Sequence, residues 1–148
     1  GDLRSFPFVI TATNTPEALV RTEHVLPATV IVDDAQPSDI EEALWSSDQV
    51  LVASAGAVYT PGIQANFPMG LAGKEDNYCC LAEVLALAHT RTENHFVINR
   101  PTIDMVDEVA ASAHTLGCRI AEYQGPRGYI PTEKIDRILT EVHKRCTV

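Results

Sequence analysis

The chain has 148 residues, of which 45% are hydrophobic and 21% charged, with a formal net charge of -9. That is enough for one domain with a sizeable core, in a composition typical of folded rather than disordered chains. The negative balance disfavours nucleic acid, whose phosphates call for Lys and Arg, and no apolar run reaches the roughly 18 residues of a membrane span.

The chain opens as GDLRSFPF, without an initiator Met or the charged-then-apolar order of a signal peptide. Gly1 could be a protease scar, and the early strand that follows suggests a chain that begins inside a longer protein. Phe6 to Thr13, FPFVITAT, is an apolar run rich in β-branched and aromatic residues and reads as a buried strand. It stops at Asn14-Thr15-Pro16, and Glu17 to His24 has room for a short helix. Ala28 to Val32, ATVIV, is a second strand without polar alternation, as in parallel sheets covered on both faces. After Asp33-Asp34-Ala35-Gln36-Pro37, Ser38 is placed to cap a helix over Asp39 to Trp45.

Gln49 to Ala53, QVLVA, is a third strand and runs into Ser54-Ala55-Gly56-Ala57. Tyr59 to Lys74 is a long loop containing Gly and Pro, of a length that is often functional. Asp76 to Arg91 is the strongest helix, apolar almost all round and therefore expected to be buried. Phe96-Val97-Ile98 is too short to assign. Thr102 caps a helix over Ile103 to Leu116 that ends at Gly117; Arg119 to Tyr123 is a last strand or an extended tail. Thr132 caps an amphipathic helix over Glu133 to Arg145.

Strands alternating with helices predict an α/β fold with a parallel sheet, here a partial Rossmann-like one followed by a helical tail. The division expected is 1–75, the second half of such a nucleotide-binding domain, and 76–148, a helical region packed on it. The first strand would be an apolar edge, which calls for a missing N-terminal half or a partner chain beside it.

In open parallel sheets ligands bind outside the carboxyl ends of the strands. Those ends here are Ala12-Thr13-Asn14, Asp33-Asp34-Ala35-Gln36 and Ser54-Ala55-Gly56. Small residues such as Ala55 and Gly56 let a ligand approach the backbone. Thr13, Asn14, Asp34 and Gln36 could hydrogen-bond a ribose or a nicotinamide amide; the alternative is that they are turn and cap residues. No G-x-G-x-x-G and no G-x-x-x-x-G-K-[ST] occurs, so this chain alone is expected to bind a dinucleotide poorly.

There are four cysteines, Cys79, Cys80, Cys118 and Cys146, without C-x-x-C spacing. That argues against a zinc knuckle, and the adjacent pair against a disulfide framework, so reduced thiols and a cytoplasmic location are expected. His89, His95, His114 and His143 lack metal-ligand spacing, and no metal site is expected. His95 and Arg100 could approach a substrate from their loop.

The segment FVITATNTPEALV…ATVIVDDAQPSDI resembles the second half of the Rossmann domain in glutamyl-tRNA reductase and the shikimate dehydrogenase group. Its continuation, QVLVASAGAV followed by NYCCLAEVLAL, resembles the long-chain acyl-ACP reductases, which make fatty aldehydes from acyl thioesters. Cys80-Leu81-Ala82-Glu83 matches that family's Cys-Phe-Ala-Glu at three of four positions, and TIDMVDEVAASAHTLGCRI resembles its tail. Tyr78-Cys79 and Ala55-Gly56 depart from the family's Phe-Ala and Gly-Gly, and the NFPMG loop does not align.

The resemblance implies an oxidoreductase using NADP or NAD, a dehydrogenase or reductase in the complete protein. An acyl thioester, carried on an acyl carrier, would be its substrate and Cys80 its acyl-accepting nucleophile. A thiol in the first turn of a helix gains thiolate character from unpaired N–H groups, which suits that role. The alternatives stay open. Cys80 could be a core cysteine, and neighbouring Cys79 points about 100° away on a helix, so only one of the two is expected to face a site. Arg127 and Lys134 could contact a phosphopantetheine or an acidic carrier, or be solvated charges. The chain could equally be a non-catalytic α/β binding or assembly module that pairs its first strand with another chain.

Overall fold

A computed structural model describes residues 2–93, 95–97 and 99–147. In chain order the elements are β1 (Phe8–Thr11), β2 (Thr29–Asp33), α1 (Glu42–Trp45), β3 (Val50–Ser54), β4 (Ala57–Tyr59), β5 (Asp76–Tyr78), α2 (Cys79–His89), α3 (Ile103–Thr115), β6 (Arg119–Ile120), β7 (Gln124–Gly125), β8 (Gly128–Tyr129) and α4 (Thr132–Cys146). A 3-10 turn covers Thr22–His24. The fold is mixed α/β with a three-stranded parallel sheet and four helices. The chain falls into two compact units, Gly1–Ala55 with Tyr123–Val148, and Gly56–Glu122. Residues 76–148 are thus shared between the two.

The first unit is built on the parallel sheet, in the order β1-β2-β3; β1, expected to be buried, is an exposed edge, with Ile10 77% in solvent, because no element covers it on that side among the described residues. Phe8 pairs with Val30 and Val30 with Leu51; Val9 pairs with Ile31 and Ile31 with Val52. Alternation then sends neighbouring residues to opposite faces, and each face has its own core. On one face Ile31, Val50 and Val52 pack with Val20, Val25, Ile40 and Leu44, which come from the β1–β2 and β2–β3 connections. On the other, Val30 and Leu51 pack against Ile138 and Val142 of α4. Fully burying side chains of this size is worth about 1.5–3 kcal/mol each, which makes the β2–β3 pair the thermodynamic centre of the unit.

The connections are less helical than their composition predicts. In place of a helix over Glu17 to His24 there is extended chain and one 3-10 turn. The amides of Leu19 and Val20 both donate to the Asp39 carbonyl, and the Glu41 amide donates back to Val20. This parallel bridge, Val20 to Ile40, satisfies backbone groups that a helix would otherwise satisfy. It also delays α1 to Glu42, because Ile40 is held in the bridge and the Ile40 amide donates to Ser38 Oγ at 3.1 Å. Ser38 therefore does not cap α1; the residue before it, Glu41, makes no side-chain cap.

The helix α4 begins one residue earlier than expected, with Pro131 before it and Thr132 as its first residue. Its cations fasten it to the turns that lead into the sheet. Lys134 Nζ donates to the Ser47 carbonyl at 2.7 Å and Arg137 to the Asp48 carbonyl at 2.8 Å. Arg145 donates to the Ala28 carbonyl at 3.4 Å and to Thr29 Oγ1 at 3.2 Å. Desolvation holds the Lys134 ammonium below the usual lysine range.

The second unit has an antiparallel sheet in the order β5-β4-β6 and the helix pair α2 and α3. The first three residues of the expected helix over Asp76 to Arg91 are strand β5, because Ala57, Val58 and Tyr59 pair with Tyr78, Asn77 and Asp76. The remaining helix is not the buried one its composition suggests. Only Ala82 and Ala86, four residues apart, are buried, and Val84 is 60% exposed. Ser112 of α3 donates to the Ala86 carbonyl at 3.2 Å, joining the two helices along that narrow seam. Thr102 caps α3 by accepting from the Met105 amide at 3.3 Å. Gly117 ends it at φ +79, where a Cβ would also meet Pro61 Cγ at 3.1 Å. The residues Arg119 and Ile120 pair with β4, so the segment beyond α3 starts as a strand. Phe96 and Val97 form no strand, and Ile98 lies outside the described residues.

Candidate functional site

Two places carry the residues singled out by sequence, one in each unit. In the first unit it is the carboxyl end of the parallel sheet. The ladder continues a residue past the strands: the Asp34 amide donates to the Thr11 carbonyl and the Ala55 amide to the Asp33 carbonyl, both at 2.8 Å. Asn14, Asp34 and Gln36 are all exposed there, and Ala55 is half-buried. Their carboxylate and amide groups suit a sugar diol or a carboxamide in hydrogen-bonding character.

Thr13 is different. Its hydroxyl donates to Asp39 Oδ1 at 2.5 Å, its amide donates to Asp39 Oδ2 at 3.3 Å, and its Oγ accepts from the Thr15 amide at 3.3 Å. The donor capacity of its hydroxyl is therefore spent inside the chain.

The residues that organise this edge are ones that sequence reasoning passed over. Asp33 and Asp39 are buried. Asp33 accepts from the Thr11 hydroxyl at 2.7 Å, the Ser38 hydroxyl at 2.5 Å and the Ala35 amide at 3.3 Å. Among the described residues both side chains are thus held by hydroxyls and amides, which satisfy their buried oxygens. By the period-2 alternation of β2, Asp33 shares a sheet face with fully buried Ile31 and Asp34 lies on the other, which is itself covered at Val30, so alternation alone does not mark which of the two is buried.

In the second unit the site is the start of α2. Gly56, at φ +71, accepts from the Cys79 amide at 2.7 Å, so the turn after β3 and the first residue of the helix meet. Cys79 and Cys80 are both exposed. Both line a cleft of about 560 Å³ whose other walls include Val58, Phe96, Val97, Met105 and Val109. The 100° rule led us to expect one thiol at the site; two are found, because the cleft wraps the first turn of the helix instead of meeting one face. Glu83 is the one carboxylate in the lining. The core-cysteine alternative fits Cys118, which is buried, and not Cys80.

A polar cluster lies in the same unit. The Tyr59 hydroxyl bonds Glu75, and the Gly62 amide donates to Glu75 Oε1 at 2.9 Å; these two bonds, Tyr59 first, hold the Glu75 carboxyl below the usual glutamate range. The same bond, with desolvation, raises the Tyr59 phenol. The Arg119 guanidinium stacks 4.0 Å from the Tyr59 ring centre.

Of the remaining candidates, His89, His95, His114, His143 and Arg100 are exposed. Arg127 donates to Glu42 Oε1 at 2.7 Å and to Ser46, and Lys134 to the Ser47 carbonyl, so both cations bind the chain itself. Among the described residues no three His, Cys, Asp or Glu form a metal-holding group, and no helix is long and apolar enough to cross a membrane. In comparison with known proteins, no family model and no curated protein matches the chain.

Proposed function

We propose that the chain is part of an NAD(P)H-dependent reductase in which Cys80 accepts the acyl group of a thioester that is then reduced to an aldehyde. The observation that carries this reading is Cys80 itself, an exposed thiol at the second residue of α2 in an apolar cleft. In such a step the Cys80 sulfur attacks the thioester carbonyl, the carrier thiol leaves with a proton, and the acyl group remains as a thioester on the protein. The apolar walls, Val58, Phe96, Val97 and Met105 among them, would seat the chain of the acyl group. A bound nicotinamide would supply the hydride for reduction to the aldehyde, and Cys80 would be returned as the thiol. Asn14, Asp34 and Gln36 would hold its ribose or amide, with Ala55 and Gly56 giving close backbone approach; Thr13 orders the turn through Asp39. The pyrophosphate finds no glycine fingerprint in this sequence, so its cradle belongs to a further segment or chain.

The partial Rossmann reading has a second support in the β1 edge. Phe8 and Ile10 share the sheet face that α4 covers elsewhere, yet Ile10 is 77% exposed. A further strand with its helix, from the same polypeptide or a partner, would pair this edge and cover both residues. The same observation favours the alternative of a non-catalytic module that assembles through β1. Replacing Cys80 by Ala in the complete protein separates the two: loss of NADPH-dependent aldehyde formation is expected, and unchanged activity rules out the nucleophile. Calorimetric titration of the present chain with NADPH should give weak binding; tight binding would show that no further phosphate site is needed. The reading places the protein in the cytoplasm, where its thiols stay reduced.

A further inference from the structure

The pairing of Cys79 with Cys80 is not used by the acyl-transfer reading, which needs one thiol. Both are exposed, adjacent in sequence, and part of one cleft. Neighbouring Cα atoms across a trans peptide lie about 3.8 Å apart, short of the roughly 4.4–6.8 Å that disulfides normally span. A direct S–S bond within this helical turn is therefore strained, and the pair is better suited to remain a dithiol. One atom inserted between the sulfurs relieves that constraint, because the S–X–S bridge is longer than S–S. Soft, thiophilic centres with two open bonds do this. The rest of the lining narrows the class, since Phe96, Val97, Met105 and Val109 offer an apolar seat for an organic substituent.

We infer that Cys79 and Cys80 form a chelating dithiol site for trivalent organoarsenicals and soft thiophiles of the same type. The step balances without an oxidant or reductant. An organoarsenic oxide, R–As=O, exchanges its oxygen for two As–S bonds, both thiol protons leave with that oxygen as water, and arsenic stays trivalent. The inference is independent of whether Cys80 ever carries an acyl group. The chain supplies its own controls: Cys146 is exposed but has no cysteine neighbour, and Cys118 is buried.

The test uses the intact chain, phenylarsine oxide and intact-mass spectrometry. One equivalent should add, persist in excess 2-mercaptoethanol and leave with 2,3-dimercaptopropanol. Cys79→Ser and Cys80→Ser should each weaken retention on the order of 100-fold, since the second As–S bond gains from an effective concentration of millimolar or more. Cys146→Ser should change nothing. Both serine substitutions are nearly isosteric at exposed positions, and the circular dichroism spectrum checks that they fold. Phenylarsine oxide should be held more tightly than inorganic arsenite. Retention unaffected by either single substitution, an adduct mapping to Cys146 or Cys118, or stripping by the monothiol would overturn the site. Equal retention of arsenite would remove the apolar cleft from it.

Discussion

The two compact units bury their apolar residues in opposite ways. The first encloses Ile31, Leu44, Val50, Leu51, Val52, Ile138 and Val142, whereas among the described residues of the second the buried apolar ones are Ala82, Ala86 and Cys118. The larger side chains of the second unit, Val84, Ile103 and Val106 among them, stay exposed. A two-faced parallel sheet closes on itself once connections cover one face and a helix the other. Two helices meeting at alanines leave a cleft open beside them, with the bond from Ser112 to the Ala86 carbonyl across the seam. The first unit is thus organised as a scaffold with a polar edge, and the second as a helix pair with an open, largely apolar cleft beside it.

Substitutions break or sharpen this contrast. The largest effect belongs to Ile31→Ala, which empties a fully buried position between β1 and β3 and should cost about 2–5 kcal/mol in urea unfolding. A cost under 1 kcal/mol would show that the first unit is not the stable one. Asp33→Ala comes next, since it leaves the Thr11 and Ser38 hydroxyls without their acceptor, at about 2–3 kcal/mol. Its exposed neighbour provides the comparison: Asp34→Ala should stay within about 0.5 kcal/mol. In the second unit Val84→Ser should also stay within about 0.5 kcal/mol, because 60% of Val84 is already in water. A loss as large as that at Ile31 would mean that α2 is covered after all.

The smallest effect is a titration. Since the folded Glu75 carboxyl lies below the ordinary 4.5, its contribution is present above that pH and is lost as pH falls through the folded value. Carboxyl NMR should show the depressed midpoint, and Tyr59→Phe, which removes the leading cause, should move it back towards 4.5. No movement would assign the depression to the Gly62 amide instead.

Much of the first unit was legible from residues alone. FVIT, TVIVD and VLVAS became strands within one or two residues of the expected ends; the burial expected of all three holds for TVIVD and VLVAS, whereas FVIT is an exposed edge. The amphipathic pattern of Ile135, Ile138, Leu139 and Val142 likewise predicted the covered face of α4, except that Leu139 lies at its margin, 40% exposed. At the candidate site Asn14, Asp34 and Gln36 are exposed, but the roles of Asp33, read only as part of a strand end, and of Asp39, read as the start of a helix, were not legible. Their importance comes from Thr11 and Thr13, more than twenty residues away, and local spacing carries no trace of such a bond.

What the sequence by itself determined, then, is the set of elements whose apolar period admits one solution: the three strands of the parallel sheet, two of them buried, and the amphipathic α4. Tertiary structure decided where hydrogen bonds and covering surface came from distant segments. The Val20–Ile40 bridge turned an expected helix into extended chain, pairing with β4 made Asp76–Tyr78 a strand, and the narrow alanine seam left α2 open on the side of its two thiols. The physical reason is the same in each case. Backbone groups must be satisfied and apolar faces covered, and a chain settles both by whichever partner folding brings near, not by the neighbours written beside them.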